Sequence, residues 1–134
     1  MEPLRVTRQK LDPQKVNEEA SCVAQKIVGA VDPLAIFLFG SAGEGKATDQ
    51  SDLDFLIVVK DEARQREAQR NLSRLMPLSA TFAVDLIWVS ESEFNRKKEI
   101  GGVCLIAWED GKLLFASPQA KGVQGLLSRK CRTF

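Results

Sequence analysis

Histidine is absent from the 134 residues, and so is tyrosine. Without an imidazole the chain cannot build a Ser-His-Asp or Cys-His nucleophile system, a histidine-bearing zinc site or a histidine general base. Any catalysis must then rest on carboxylates, lysines or hydroxyls. Cysteine is scarce: Cys22, Cys104 and Cys131 are odd in number, far apart and form no C-x-x-C pair, which fits reduced thiols rather than a disulfide frame or a zinc site. No apolar run approaches the ~20 residues that span a bilayer. Met1-Glu2-Pro3-Leu4-Arg5 also lacks the apolar stretch of a secretory signal, so the expected location is the cytoplasm with no membrane contact. Nor is charge in excess, since 19 Lys+Arg against 18 Asp+Glu leave +1, and charge by itself names no partner.

What is present is the composition of an ordinary globule, 44% hydrophobic and 28% charged. The expectation is one domain over 1–134, with a core of about 13–117 and a basic tail, 118–134, that carries Arg129, Lys130 and Arg132. Asp12-Pro13 reads as an N-cap with proline in the first helical position. Val16, Ala20, Val23, Ala24, Ile27, Val28 and Val31 then recur at helical spacing until Asp32-Pro33 closes the helix. Ala35 to Phe39 is a short apolar run ending in a Gly40-Ser41 turn, followed by a polar loop to Ser51. Leu53 to Val59 is a second buried strand. Asp61 to Leu75 predicts a surface helix with Ala68, Leu72, Leu75 and Met76 on one side, and Thr81 to Val89 predicts a third strand. Ser90-Glu91-Ser92-Glu93 resembles a capped helix start. Val103 to Glu109 suits a short helix, with a hairpin arm as the alternative, leading into a strand at Lys112 to Ala116.

Two features cost free energy without an evident structural return. Strand alternation puts Asp52 and Asp54 on one face at the head of an apolar run, where like charges repel. Asp85 places a third carboxylate inside another apolar strand, where an unpartnered buried charge would cost several kcal/mol or take up a proton. If the two strands are neighbours, the three carboxylates converge. Such a set suits Mg²⁺, which takes one or two carboxylates and fills its other positions with water and phosphate oxygens. Two such ions can clamp the attacking and leaving oxygens of an in-line phosphoryl or nucleotidyl displacement. The backbone at Gly40-Ser41 and the Ser41 hydroxyl could hold phosphates opposite them. Gly40 to Lys46 also matches the first seven positions of a P-loop. The match fails at Ala47, which has no hydroxyl for Mg²⁺, and a strand follows the loop instead of a helix; Lys46 reads as a solvated loop lysine.

Gly40-Ser41, ten residues, then Asp52-Leu53-Asp54, with Asp85 further on, resembles the signature of the DNA polymerase β-like nucleotidyltransferase superfamily. The similarity is greatest to the minimal nucleotidyltransferases that accompany HEPN-domain ribonuclease toxins, and it runs from about Leu34 through Ala116. It implies an α+β fold, a mixed sheet with helices packed mainly on one side. It also implies transfer of a nucleoside monophosphate from a triphosphate to a hydroxyl with two Mg²⁺ ions. Asp52 and Asp54 would hold both metals, Asp85 would bind the catalytic metal and help deprotonate the acceptor, and Gly40, Ser41 and Ser51 would bind the triphosphate. Two positions depart from the usual pattern: Glu44 stands where many members carry a basic residue, and Ala42 where a larger polar residue is common.

At this length the expectation is that a separate molecule presents the acceptor. In the minimal group the resemblance implies an antitoxin that transfers AMP from ATP to a tyrosine of its HEPN toxin; with no tyrosine of its own, this chain cannot modify itself at one. The alternatives are a catalytically weak antitoxin acting by complex formation, which Glu44 motivates, and transfer to a small molecule or an RNA end. Arg66, Arg70 and Arg74 recur at i, i+4 and are interleaved with Glu62 and Glu67. They read as a solvated face, and direct nucleic-acid binding is not expected.

Overall fold

The computed structural model describes residues 12–43, 45–47 and 52–118. Glu44, Ser51, Cys131 and the basic tail residues Arg129, Lys130 and Arg132 lie outside the described residues. The chain begins with the helix its capping signal requires: α1 spans Pro13–Val31, Asp12 accepts a hydrogen bond from the Gln14 N–H, and Asp32 ends it in a left-handed conformation. β1 (Ala35–Phe39) follows, and the Gly40-Ser41 turn opens a four-residue helix, α2 (Gly40–Gly43), where the sequence suggested plain loop. β2 is Leu53–Val59, α3 Glu62–Ser73 with Asp61 as N-cap, and β3 Val84–Ser90. The chain then forms α4 (Glu91–Lys97), α5 (Gly102–Asp110) and β4 (Lys112–Ala116). At α4 the Ser90 hydroxyl accepts from the Glu93 N–H, as the capping pattern predicts. The helical alternative for 103–109 is the one realised.

The four strands form one mixed sheet in the order β3-β2-β1-β4. β1 runs antiparallel to both β2 and β4, and β3 lies parallel to β2 after crossing over through α3. Alternation divides the sheet into two apolar faces. Ile36, Leu38, Leu53, Phe55, Ile57 and Val59 pack with the two long helices α1 and α3. Ala35, Phe37, Leu56, Val58 and Val89 pack with the shorter α4 and α5. On that second face Phe94 stacks on Phe37 at 5.3 Å and meets the edge of Trp108 at 5.9 Å, so one buried ring ties α4 and α5 to β1.

Two expectations need correction. Leu75 and Met76 are 45% and 53% exposed, because α3 ends at Ser73 and its buried stripe stops at Ala68 and Leu72. β3 begins at Val84 instead of Thr81, and it is an edge strand. Asp85 is therefore exposed and does not carry the desolvation cost that a central strand would impose.

Candidate active site

Each half of the site is made by a strand end. β1 ends at Phe39, which is paired with Asp54 on β2, so the turn that follows β1 must pass beside the Asp54 carboxylate. Gly40 makes this possible twice over. Its φ of +72° lies in the left-handed region, and a Cβ there would sit 2.6 Å from Asp54 Oδ2. The turn is then closed by a hydrogen bond from the Lys46 N–H to the Ser41 carbonyl at 2.7 Å. Gly43 has a similar spatial role: a Cβ there would fall 2.5 Å from the Leu38 carbonyl oxygen, so α2 lies flat against the end of β1. Sequence reading missed Gly43; its only signal was a small residue close behind Gly40-Ser41.

On the other side of β2, Asp54 is in register with Asp85 of β3, on strands that neighbour each other at about 4.8 Å in a ladder. Both share the sheet face of Leu56 and Val89, the side covered further along by α4 and α5. Asp52 stands just before β2 and is exposed, as is Asp85, while Asp54 between them is half-buried. Burial raises the Asp54 carboxyl above its ordinary pKa, and the negative charges of Asp85 and then Asp52 raise it further. Of the residues predicted from sequence, the structure sets Gly40 against Asp54 and Asp54 in register with Asp85, with Asp52 near enough for its charge to act on Asp54. Ser41 follows Gly40 in the turn, and among the described residues no three acidic side chains are placed to hold a metal ion. Ser51, the sixth, lies outside the described residues.

Other chemistry is thinly represented among the described residues. Cys104 is buried and its thiol is pushed up by that burial and by Glu93, so it stays protonated. A cavity of about 550 Å³ between α1 and Thr81-Phe82 lies on the α1 side, the sheet face opposite the carboxylates. No helix among the described residues is long and apolar enough to cross a membrane.

A family model described as polymerase beta, nucleotidyltransferase matches residues 23–115, a span that holds both the Gly40-Ser41 turn and all three carboxylates. The chain belongs to the polymerase β nucleotidyltransferase family. Its fold is similar to that of a Sulfolobus solfataricus protein provisionally named a nucleotidyltransferase. The TM-score is 0.54 at 22% identity, over 81% of this chain and 86% of that one. A looser likeness, with a TM-score of 0.44 at 22% identity, covers 84% of this chain and 94% of one in a structure described as a toxin-antitoxin with AMP-PNP. No curated protein matches the sequence. In this nucleotidyltransferase the matched span includes the strand ends that meet at Asp54.

Proposed function

We propose that this nucleotidyltransferase transfers AMP from ATP to a hydroxyl of a partner protein, and that the partner is a HEPN ribonuclease toxin which it neutralises by modifying a tyrosine. The observation that carries the reading is Asp54, held between the Gly40 turn on one side and Asp85 in register on the other. Packing does not account for a half-buried carboxylate set beside a second one in register and near enough to a third to be raised by both. A phosphate-handling site does.

The donor set fits Mg²⁺. All three candidates are hard oxygen donors, and the crowding that raises Asp54 is what a bound cation would relieve. Among the described residues no group of three such side chains is placed to hold an ion; Mg²⁺ takes one or two carboxylates and completes its shell from water and phosphate. Asp52 and Asp54 would hold two ions, with Asp85 sharing one; when bound they neutralise the charge that develops on the phosphates.

The chain's own groups divide the remaining work. The Gly40 backbone and the Ser41 hydroxyl hold the triphosphate against the Asp54 side of the site. Asp85, exposed at the sheet edge, accepts the proton of the acceptor hydroxyl as that oxygen bonds to the α-phosphorus. The bond from the α-phosphorus to the bridging oxygen breaks, and pyrophosphate leaves. The openness of Asp52 and Asp85 supports an acceptor that comes from outside the described fold.

The test is transfer from ATP labelled in the α-phosphate, with Mg²⁺, onto proteins that co-purify with the chain. The wild type is compared with Asp52→Asn/Asp54→Asn. Label on a toxin partner that disappears in the double variant is the expected result. Toxin neutralisation that survives the double substitution would instead favour restraint by binding alone.

A further inference from the structure

Beyond Asp54 and Asp85 the same sheet face continues into an apolar groove of about 430 Å³, whose floor includes Leu56 and Ile87 and whose wall includes Val103 and Cys104 of α5. Leu56 and Ile87 are two residues on from Asp54 and Asp85, so the groove begins one side-chain step along each strand from the carboxylates, which do not themselves line it. Ile87 is 37% exposed, Ile100 on the rim 75% and Ile106 on the outer side of α5 46%. They are three of the five large hydrophobics exposed among the described residues, the others being Leu75 and Met76 at the end of α3.

The sequence of α5 makes the same point independently. In Gly102–Asp110 the run Val103-Cys104-Leu105-Ile106-Ala107-Trp108 is apolar on every side. Its inner side, Cys104, Ala107 and Trp108, packs on the sheet, yet Ile106 faces water. A helix apolar all round is normally covered all round. The exposed patch is rimmed by the Glu93–Lys97 ion pair at 2.7 Å, an arrangement typical of an apolar docking surface with a polar border.

We infer that the groove lined by Ile87, Ile100 and Val103 is where the acceptor protein docks, laying an apolar surface in it and over the outer side of α5, where Ile106 is exposed, so that its hydroxyl reaches Asp85. The inference rests on the reading of this chain as a transferase acting on a protein. The occupant is assigned by proximity: Ile87 in the groove and Asp85 are neighbours on one exposed face of the edge strand, so a molecule seated in the groove lies one side-chain step from the carboxylate proposed to take the acceptor's proton. A nucleobase in the same groove would meet mainly apolar side chains, and a second copy of this chain would block the approach to Asp85.

The experiment uses the intact chain, the protein that receives label from ATP, and N-acetyltyrosinamide as an acceptor too small to need docking. Ile100→Glu and Ile106→Glu are made at exposed positions that the fold does not require, with Arg70→Glu on the distant α3 as control. The expected result is a rise of at least tenfold in KM for the acceptor protein in both isoleucine variants. kcat, the KM for ATP and transfer to N-acetyltyrosinamide should stay within twofold, and Arg70→Glu should behave as wild type. Unchanged KM for the acceptor protein overturns the inference while leaving the function standing. So does a rise in the KM for ATP alone, or loss of self-association with unchanged transfer. Label on N-acetyltyrosinamide but on no protein, in the wild type, overturns the protein-acceptor reading itself.

Discussion

The Asp54 carboxylate occupies the space that a side chain on Gly40 would need, Oδ2 lying 2.6 Å from where a Cβ would be built. Gly40→Ala should therefore cost the left-handed backbone penalty, about 1–2 kcal/mol, together with whatever displacement Asp54 must undergo. Gly45 gives the control: its φ is +74°, but a Cβ there meets nothing within 4 Å. Urea unfolding of the two alanine variants should show the larger loss at Gly40, and only that variant should lose transfer activity. Equal losses would refute the steric contact.

Asp54→Asn should stabilise the metal-free chain at neutral pH. Burial and the charges of Asp85 and Asp52 raise the folded-state pKa of Asp54 above the ordinary 3.8, so the folded chain binds this proton more tightly than the unfolded one. The penalty is fully present above the raised pKa and disappears below 3.8. Between those limits, wild-type stability should fall with rising pH relative to Asp54→Asn. Melting curves of both proteins across mildly acid to neutral pH, with a chelator present, measure the difference. Added Mg²⁺ should reverse it, stabilising the wild type more than the variant.

Asp85→Asn should separate chemistry from folding. The side chain is exposed on an edge strand, so unfolding free energy should stay within ~0.5 kcal/mol of wild type. Transfer should fall by about 100-fold or more, the contribution of a positioned general base. Removing this negative charge should also lower the Asp54 pKa, which a carboxyl-resolved NMR titration would read.

Phe94→Ala should cost about 3–5 kcal/mol, the range for an aromatic ring removed from a packed core. Its ring bridges Phe37 and Trp108, so the loss should fall on α4 and α5. Amide exchange should show those helices opening before β1 and β2 do.

Much of this was legible in local sequence. Asp12-Pro13, Ser90 with Glu93, and the apolar spacing of α1 each report on their own few residues, and each element formed where its signal stood. The Gly40-Ser41 turn and the Asp52, Asp54 pair were readable for the same reason. What failed was information that only the sheet order supplies. Period-two alternation in 81–89 does not say whether a strand is central or at an edge, so Asp85 looked buried and is exposed. Leu75 and Met76 continued a helical spacing past the residue where α3 stops. The apolar surface of α5 was hidden because a helix apolar on all sides has no stripe to point out which side is free.

β1 and β2 are successive, antiparallel strands, whereas β3 reaches β2 only after the chain has crossed over through α3. Closing the shorter connection costs less chain entropy. The turn at Gly40-Ser41 and the aspartates at 52 and 54 thus belong to one local unit, and Asp85 to an edge that joins it from farther along the chain. Fraying of that edge would remove Asp85, the proposed acceptor side of the site, and leave the Gly40 turn with Asp52 and Asp54, the proposed phosphate side, intact. On the proposed reading, triphosphate would still be held while its transfer is switched off, and binding and transfer would answer to two different thresholds of local unfolding.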